Sequence, residues 1–411
     1  MTLTDKLADP KVWEKYYNYK AASTLSKSEQ AKLRSFIDNK EYLPVVERIR
    51  KGIPLNPPSK SVISKVYTSK KRIVYTYSTN ENQVLKLLTY LLIRQYDSLF
   101  AGNLFSFRAG KDAQKAFKYL MHRNPGNLYA YKVDISNYFN SVNIDILSPL
   151  LKDAMKDEPE LSNYLLMLLK DDRVYENGLL IREQKGIMAG VPTASFYADL
   201  YLSKMDFHFE KEGVIYARYS DDIIVFAPTQ EETENHARYI KEFLREADLE
   251  INPSKENFFK PHEAWTFLGF EYKDGFVDIS PASKDKLKAK LRRKTRSIER
   301  WQKRRNLTGD KAAKAFVNAL NRKLYENKSD NDLTWSKWFL PVINTTKSLK
   351  EIDEYCEDCI RFLATGKRTK SRFNFTYEDI KKLGFKPLVS HYYEDWNDYS
   401  LSSSSRRSEN E

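Results

Sequence analysis

Cysteine, histidine and long apolar runs are all scarce in this 411-residue sequence, and each scarcity excludes a class of protein. The two cysteines, Cys356 and Cys359, form one Cys-x-x-Cys pair, and the chain has five histidines. A structural zinc site takes four protein ligands, and no second cysteine pair is present to complete one. The sequence therefore does not predict a zinc or redox centre.

The sequence also lacks the apolar segments that direct a chain to a membrane or anchor it there. No stretch approaches the run of about twenty apolar residues that a membrane-spanning helix needs. The N-terminal residues do not include the apolar region of a signal peptide. We therefore expect a cytoplasmic, reduced protein with no membrane partner.

Acidic residues are outnumbered by basic ones. The chain has 69 Lys and Arg against 56 Asp and Glu, which gives a formal net charge of +13. A surplus of this size favours a polyanionic partner such as a nucleic acid. The alternative is a soluble protein that is merely basic.

Two adjacent carboxylates stand at the centre of the most informative stretch, residues 216–226. Apolar, β-branched and aromatic runs flank Asp221 and Asp222, a pattern that predicts a β-hairpin with both acids at its turn. A solvated turn is the alternative, because Asp and Ser are common turn residues. A third carboxylate, Asp134, follows the β-prone residues 128–133 and is predicted at the end of a strand.

Three carboxylates on neighbouring strand ends predict a site for divalent cations. Such ions prefer hard oxygen ligands, and a pair of them activates a 3′-hydroxyl and stabilises a leaving pyrophosphate. Between the acids, Gly186 and Gly190 punctuate a loop, residues 184–195, that leads into a helix. Glycine allows the backbone to approach a nucleotide or a templating strand closely.

In this order the segments resemble the first three catalytic motifs in the palm of reverse transcriptases. Asp134, with Phe139 five residues later, is similar to the first motif. Residues 186–195 are similar to the second motif, and residues 219–222 to the third. The other similar segments are residues 249–255 for the fourth motif, 267–270 for the primer grip, 70–73 and 105–108 for the fingers of bacterial members, and 383–389 for a C-terminal pattern. Within the family, the chain most resembles the defence-associated bacterial enzymes, with retron enzymes next.

The resemblance implies an α+β fold of the right-hand polymerase type. Such a fold has fingers, a palm built on a split β-α-β antiparallel sheet, and a helical thumb. The β, α, β, β, α, β order of patterns over residues 128–272 agrees with that palm. The predicted domains are an N-terminal helical extension over 1–55, fingers and palm over 56–280, a basic helical thumb over 281–390, and a polar, disordered tail over 391–411.

Three local patterns add detail to this prediction. Residues 1–50 alternate aromatic and charged side chains, which favours short amphipathic helices that pack on the fingers. Asn177-Gly178 predicts the turn of a second hairpin. From Lys284 to Arg305, twelve basic residues accompany two acids. We expect this helix to contact a phosphate backbone, because a face of one charge repels itself, although a solvated face is the alternative. An apolar stripe on the same helix comprises Leu287, Leu291, Ile298 and Trp301.

The resemblance also implies roles for individual residues. Asp134, Asp221 and Asp222, with the carbonyl of Ile135, would hold two Mg²⁺ ions, for which Mn²⁺ is an alternative. Lys255 would be the general acid for the leaving pyrophosphate. Phe139 would stack beneath the incoming sugar and exclude a 2′-hydroxyl, unless it is ordinary palm core. The other implied contacts are Lys71, Arg72, Ile135, Gly190 and Ser195 for the nucleotide, and Arg108, Gly269, Arg292, Arg293 and Arg296 for nucleic acid.

The implied function is that of an RNA-directed DNA polymerase. It would copy a structured non-coding RNA into DNA from deoxynucleoside triphosphates, in antiphage defence. Three alternatives stay open: an intron maturase or retron enzyme, an RNA-directed RNA polymerase, and a catalytically idle palm that serves as an RNA-binding scaffold. The aromatic residue Phe139 argues against the RNA polymerase, and the presence of all three carboxylates argues against the idle scaffold.

Overall fold

The structure is a computed structural model that describes residues 1–23, 25–64, 71–123, 125–326 and 335–394. The chain divides into two compact units, Met1–Glu263 and Ala264–Glu411. Lys70 of the predicted fingers motif and residues 395–411 of the predicted tail lie outside the described residues. The domain boundaries given above remain predictions.

The first unit combines helices with two four-stranded sheets. Its helices are α1 (Leu3–Ala8), α2 (Pro10–Ser23), α3 (Lys27–Asp38), α4 (Leu43–Arg50), α5 (Thr79–Gln95), α6 (Ala113–Met121), α7 (Tyr138–Ser141), α8 (Ile144–Ala154), α9 (Pro159–Lys170), α10 (Ala194–Tyr201), α11 (Ser203–Lys211) and α12 (Gln230–Glu246). Its strands are β1 (Ser59–Ser64), β2 (Lys71–Thr76), β3 (Tyr129–Asp134), β4 (Arg173–Glu176), β5 (Leu179–Arg182), β6 (Ile215–Tyr219), β7 (Asp222–Ala227) and β8 (Asn257–Phe259).

The N-terminal helices pack around Trp13, whose side chain is fully buried. Its ring stacks on Tyr42 with a centroid distance of 4.9 Å, and its indole N–H donates to the carbonyl of Leu7 over 2.8 Å. Capping boxes at Thr2 and Ser26 begin α1 and α3, because each satisfies backbone N–H groups in the first turn of its helix. The predicted short helices are therefore present, and both α1 and α4 pack on α5.

The first sheet has the strand order β2-β1-β4-β5. Asn177 and Gly178 join β4 to β5, with φ angles of 52° and 82°. Two consecutive left-handed residues are the signature of a type I′ turn, whose twist matches that of the flanking strands. The predicted hairpin is therefore confirmed.

The second sheet, the palm sheet, has the order β6-β7-β3-β8, and its neighbouring strands are antiparallel. The interior strand β7 is apolar over Ile223–Phe226, and these residues are buried. Such continuous burial requires cover on both faces of the sheet. α12 packs on β3 and β7 through buried residues that include Ile240 and Leu244, while α6 and α11 pack on β6. These helices therefore cover the palm sheet.

The second unit has one sheet followed by helices. Its strands are β9 (Trp265–Phe267), β10 (Phe270–Lys273) and β11 (Phe276–Ile279), and its helices are α13 (Pro281–Arg305), α14 (Gly309–Tyr325), α15 (Trp335–Phe339), α16 (Lys347–Thr365) and α17 (Tyr377–Lys382). The strands form an antiparallel sheet in the order β11-β10-β9. α13, α14 and α16 pack on one another. None of the helices in the described ranges is long and apolar enough to cross a membrane.

The basic helix α13 buries most of its predicted apolar stripe. Leu287, Leu291 and Ile298 are buried, whereas Trp301 is 38% exposed. Trp301 lies near the end of the helix and lines a surface groove beside Leu307, which explains its exposure. The stripe is therefore buried over about the first five turns, as far as Ile298, and is exposed at Trp301 in the next turn.

The final described segment is tied to α16 by a buried carboxyl. Asp353 accepts hydrogen bonds from the backbone N–H groups of Leu388 and Val389, over 2.8 and 3.0 Å. Burial raises the pKa of Asp353 to about 6, although these two bonds oppose the shift. Cys356 and Cys359 are free, buried thiols on the same helix.

Candidate active site

The pairing of β3 with β7 brings the three predicted carboxylates together. Asp134 is the last residue of β3 and lies directly opposite Asp222, the first residue of β7. Asp221 immediately precedes β7, and its carbonyl accepts a hydrogen bond from the N–H of Ile135 over 3.1 Å. The predicted hairpin and strand end are both confirmed. The three carboxylates therefore share one end of the palm sheet.

The turn between β6 and β7 has only two residues and carries one of these acids, Asp221, whereas Asp222, also predicted at the turn, begins β7. β6 and β7 pair as far as Tyr219 and Asp222, which leaves Ser220 and Asp221 to form the turn. Ser220 has a φ of 60°, in the left-handed region that non-glycine residues occupy at a cost of about 1 to 3 kcal/mol. Such a conformation persists only where its surroundings hold it in place.

Arg218 on β6 provides that support from a fully buried position. Its guanidinium donates to the carbonyl of Ser220 over 3.3 Å and to both carboxylate oxygens of Asp206 on α11, over 2.8 and 2.5 Å. The hydroxyl of Tyr216 donates to the same carboxylate over 2.9 Å. A buried charge is stable only when it is paired and hydrogen-bonded. This ion pair therefore fixes the hairpin to α11.

A second buried carboxyl, Asp199 on α10, lies beside the same guanidinium. Arg218 donates to its backbone carbonyl over 3.2 Å, and the hydroxyl of Ser106 donates to one of its side-chain oxygens over 2.8 Å. Burial raises the pKa of Asp199 to about 8, against the opposing charge of Arg218. At neutral pH this carboxyl is therefore largely protonated, and the guanidinium balances one buried carboxylate, that of Asp206.

The three predicted site carboxylates are crowded, with Asp134 buried and Asp221 and Asp222 half-buried. Asp134 is only 4% exposed. Burial, and then the charge of Asp134, raises the pKa of Asp221. Burial, together with the charges of Asp221 and Asp134, raises the pKa of Asp222 to about 6. Because the negative charges of these carboxylates repel one another, the arrangement favours the binding of a cation.

Lys255, the predicted general acid, contacts the carboxylate of Asp134 through its ammonium group. Burial lowers the pKa of Lys255 and the bond to Asp134 raises it, with a net shift upward. The side-chain amide of Asn252 donates to the other oxygen of Asp134 over 3.4 Å. Both oxygens of Asp134 are therefore engaged. Across the described ranges, no three or more His, Cys, Asp or Glu side chains already surround a single metal position.

The strand β2 brings Arg72 into electrostatic reach of the carboxylates. The backbone N–H of Tyr75, on this strand, donates to the carbonyl of Ala189 in the glycine-rich loop over 2.8 Å. This bond fixes the position of the strand. Lys71 and Arg72 are both exposed. The positive charge of Arg72 opposes the upward shift in the pKa of Asp221, so this guanidinium lies close enough to act on that carboxyl, and its contact with a nucleotide stays a prediction.

Two glycines allow the loop to approach its neighbours closely. Gly190 has a φ of 101°, and a Cβ there would lie 2.9 Å from the carbonyl of Tyr75. Gly186 has a φ of 52°, and a Cβ there would lie 2.5 Å from the carbonyl of Phe139. Contacts this short displace the backbone, so the loop requires glycine at both positions.

Phe139 is half-buried between other aromatic rings. It packs edge-to-face on Phe107 and Tyr138, with centroid distances of 6.1 and 5.7 Å. The next residue, Asn140, links α7 to two other segments. Its side chain accepts a hydrogen bond from the glycine-rich loop over 2.9 Å and donates to a carbonyl of β2 over 3.3 Å. The ring is therefore held in place while part of it stays at the surface.

Two residues predicted to contact ligands have partners inside the protein. Ser195, in the first turn of α10, donates its hydroxyl to the carbonyl of Pro192 over 2.9 Å. The side chain of Arg108 is only 8% exposed and forms a two-point ion pair with Asp97, at 2.9 and 3.0 Å. These bonds hold the guanidinium of Arg108 inside the protein, and its contact with nucleic acid stays a prediction.

The remaining predicted contacts lie in the second unit. Gly269 and Leu268 form the two-residue turn between β9 and β10, with φ angles of 91° and 50°. Arg292, Arg293 and Arg296 are exposed on α13. Both features belong to the basic unit that the sequence predicts to bind nucleic acid.

Sequence reasoning did not identify the residues that support the carboxylates. Arg218, Asp206, Asn140 and Asn252 contact the site elements, and none of them was predicted as a site residue, although Asn252 lies within the predicted fourth motif. One signal was available, because Arg218 interrupts an apolar strand pattern where a buried charge requires a partner. Asn140 gave no such signal, because it lies outside the predicted motifs.

Comparison with known proteins places this site in a family. Residues 59–272 match the reverse transcriptase (RNA-dependent DNA polymerase) family. Over 134 residues, the chain is 28% identical to the retron Ec48 reverse transcriptase of Escherichia coli. That similarity covers 31% of this chain and 30% of the retron protein, so the matched segment spans less than a third of the curated relative.

Two solved telomerase structures are also similar. The apo telomerase from Candida tropicalis has a TM-score of 0.47 and 12% identity, over 80% of this chain and 69% of that one. The telomerase from Candida albicans in complex with the TWJ fragment of telomeric RNA has a TM-score of 0.45 and 12% identity, over 85% of this chain and 68% of that one. Because the family match covers more than half of the 411 residues and includes all three carboxylates, the chain belongs to the reverse transcriptase family, and the predicted α+β polymerase fold is confirmed.

Proposed function

We propose that this chain is an RNA-directed DNA polymerase that copies an RNA template from deoxynucleoside triphosphates. The observation that supports it most is the register of β3 and β7, which puts Asp134 opposite Asp222 and beside Asp221. Three like charges in a partly buried cluster destabilise the folded chain. A palm that served only as a scaffold would gain nothing from them, which makes the idle-scaffold alternative less favoured.

A pair of Mg²⁺ ions fits the chemistry of this donor set. Asp134, Asp221 and Asp222 would hold them, with the carbonyl of Ile135 as a backbone ligand, because Mg²⁺ prefers hard oxygen donors. The raised pKa of Asp222 reflects a surplus of negative charge that divalent cations would balance. When bound, such ions supply activation of a primer hydroxyl and charge stabilisation of the leaving pyrophosphate.

The chain's own side chains would supply the proton transfer and hold the nucleotide. Lys255 is positioned to act as the general acid, because its ammonium group contacts the carboxylate of Asp134 and its raised pKa keeps it protonated at neutral pH. Arg72 would hold the triphosphate, since a guanidinium can donate two parallel hydrogen bonds to phosphate oxygens. Lys71 would add positive charge, while Gly190 and Ser195 would line the path of the nucleotide.

We further propose a bacterial enzyme of the retron or defence-associated kind that copies a structured non-coding RNA. The local similarity to the retron Ec48 reverse transcriptase supports this assignment. An RNA-directed RNA polymerase is the second candidate for the activity. The half-buried ring of Phe139 disfavours it, because a fixed aromatic side chain beneath the sugar would exclude a 2′-hydroxyl.

In the second unit, we propose that α13 and the turn at Gly269 contact the nucleic acid. Arg292, Arg293 and Arg296 lie on an exposed helical face that is dense in positive charge. Lys and Arg side chains on such a face neutralise phosphates without reading sequence. Binding through them should therefore be similar for unrelated sequences.

Primer extension by the purified chain tests the proposal. An RNA template with an annealed primer is incubated with Mg²⁺ and either deoxynucleoside or ribonucleoside triphosphates. We expect extension with deoxynucleotides only. Extension with ribonucleotides alone would support the RNA polymerase, and RNA binding without any extension would support the scaffold.

Replacing Phe139 by Val should relax the choice of sugar. We expect the use of ribonucleotides relative to deoxynucleotides to rise about tenfold or more, because the barrier is steric. The ratio of kcat/KM for the two nucleotide classes measures it. Phe276→Val, at a side chain that is 66% exposed on β11, is a matched control with no expected effect on that ratio. An unchanged ratio in an active Phe139→Val enzyme would mean that Phe139 is only core.

Replacing Gly190 by Ala should impair nucleotide binding. The added Cβ would meet the carbonyl of Tyr75 at 2.9 Å and push β2, with Arg72, away from its place. We expect the KM for deoxynucleotides to rise about tenfold, as small displacements of binding groups have large effects. Gly178→Ala is the control, because that glycine also has a positive φ but nothing lies within 4 Å of the place that an added methyl group would take. Equal effects in both variants would indicate backbone strain alone.

A further inference from the structure

The second unit contains a basic cavity that the proposed site at the three carboxylates does not use. It has a volume of about 270 Å³ and lies between α13, α16 and the segment that follows α16. Its lining includes five cationic side chains and one carboxylate. The cationic residues are Arg292, Arg296, Lys367, Arg368 and Arg372, and the carboxylate is that of Asp358.

The positive charge on the face of α13 that meets α16 is neutralised only near the start of the helix. Near the start of the helix, Lys284 and Lys288 pair with Glu351 of α16, at 2.6 and 3.7 Å. Arg292 and Arg296 continue the same face at four-residue spacing and line the cavity instead. There, Arg292 donates to a tyrosine hydroxyl of α16 over 3.3 Å. Like charges at this spacing repel each other, so the cavity concentrates positive charge that α16 does not balance.

The one carboxylate in the cavity is already neutralised. Asp358 accepts two hydrogen bonds from the guanidinium of Arg372, over 3.1 and 3.3 Å. The guanidinium of Arg368 lies 4.7 Å from the centroid of the Phe362 ring. Within the part of the chain that the structure describes, no carboxylate lies at ion-pair distance from Arg296 or Arg368. The cavity is therefore suited to an anion supplied by a ligand.

We propose that this cavity binds the terminal phosphate of a nucleic-acid strand. A phosphate monoester carries about two negative charges near neutral pH and offers three strong acceptor oxygens. Guanidinium groups that converge from separate segments match that geometry, because each can donate paired hydrogen bonds.

The shape of the site and its surroundings favour a strand end over a continuous backbone. A cavity of about 270 Å³ can enclose a terminal group, whereas the backbone of a duplex would lie along an open face. Exposed basic residues continue along α13 outside the cavity, including Lys290, Lys294 and Arg300. The phosphates that follow the terminal one would meet these residues.

Binding of short single strands to the full chain tests the inference. The probes are RNA and DNA oligonucleotides, labelled at the 3′ end, that carry either a 5′-phosphate or a 5′-hydroxyl. Fluorescence anisotropy at physiological salt gives each Kd. The cavity variant is Arg296→Gln with Arg368→Gln, and the control is Lys294→Gln with Arg300→Gln. Both remove two exposed charges, which should leave the folded state nearly unchanged, as thermal unfolding checks.

We expect the 5′-phosphate to tighten binding about tenfold for the wild type and for the control variant. In the cavity variant the two probes should bind with equal Kd. Strands with a 5′-hydroxyl should bind less tightly to both variants than to the wild type, because each variant lacks basic residues that contact phosphates. Equal Kd values for phosphorylated and hydroxyl-ended strands in the wild type would overturn the proposal. An equal gain in affinity from the 5′-phosphate in the two variants would also overturn it. Displacement by AMP as effective as that by a phosphorylated strand would also overturn it, because the site would then be one for free nucleotides.

This inference does not depend on polymerisation. The assay contains no primer and no deoxynucleoside triphosphate, and the substituted residues lie outside the carboxylate site. A negative result would therefore leave the proposed polymerase activity standing, and failure of primer extension would leave the terminal-phosphate site standing.

Discussion

A chain with Asp221→Asn and Asp222→Asn should lose nucleotide incorporation while it keeps its fold and its affinity for nucleic acid. We expect the rate of primer extension to fall by at least about a thousandfold, as is usual when members of one catalytic unit are removed. The change takes away two charges and almost no volume. Binding should be little affected, because the proposed phosphate contacts are on basic residues elsewhere.

The same variant should be at least as stable as the wild type at neutral pH. The pKa values of Asp221 and Asp222 are raised in the folded chain, so the folded state binds protons more tightly than the unfolded one. Their contribution to stability is present below the unfolded pKa of about 3.9 and is lost as the pH rises through about 6, the folded pKa of Asp222. Asparagine avoids this penalty, and Tm measurements at pH 5 and pH 8 compare the two chains.

Asp153→Asn is the matched control for this experiment. Asp153 is an exposed carboxylate on α8, and its replacement should change neither activity nor Tm. Undiminished extension by the double variant would refute the assignment of the site. A fall in Tm together with the loss of activity would show that the two acids hold the hairpin together, which contradicts the repulsion described above.

Replacing Arg218 by Met should produce the largest loss of stability. It leaves the carboxylate of Asp206 buried with the hydroxyl of Tyr216 as its remaining side-chain partner. Breaking a buried ion pair in this way costs roughly 3 to 5 kcal/mol. For a unit of this size we expect Tm to fall by about 10 °C. Thermal unfolding followed by circular dichroism measures the change.

A double replacement separates stability from positioning. Arg218→Met with Asp206→Leu removes both charges, and such apolar substitution of a buried pair is often neutral. We therefore expect most of the lost stability to return. Activity should not return with it, because the carbonyl of Ser220 still lacks its donor and the turn that carries Asp221 loses its support. Full activity in this stable double variant would show that Arg218 has no positioning role.

The parts of this fold that could be predicted from sequence are those set by short-range patterns. Asn177-Gly178 specifies its own turn, since few residues tolerate consecutive left-handed conformations. The runs around Asp134, Asp221 and Asp222 have strand patterns that a hairpin and its neighbour satisfy locally. The family resemblance then placed these separate strands in one palm sheet, which no local pattern could do.

The incorrect or missing predictions concern partners that are far apart or hidden. The ion pair of Arg108 with Asp97 joins residues eleven positions apart, and only the folded loop reveals it. The buried pair of Arg218 and Asp206 joins a strand to a helix, and no spacing rule links such residues. Trp301 fits the apolar period of α13 but lies near the end of the helix. Periodicity identifies the apolar face of a helix but does not show whether other elements cover that face along its whole length.

The proposed catalytic activity depends entirely on the pairing register between β3 and β7. Side chains alternate between the two faces of a sheet, so a slip of one residue in β3 would turn Asp134 to the opposite face from its present position. Deleting one residue within β3 would therefore separate the three carboxylates, although all of them would remain in the sequence. Extra residues at the Asn177-Gly178 turn would leave that alignment intact, because β4 and β5 belong to the other sheet. Whether this chain tolerates an insertion or a deletion therefore depends on which of its sheets contains the change.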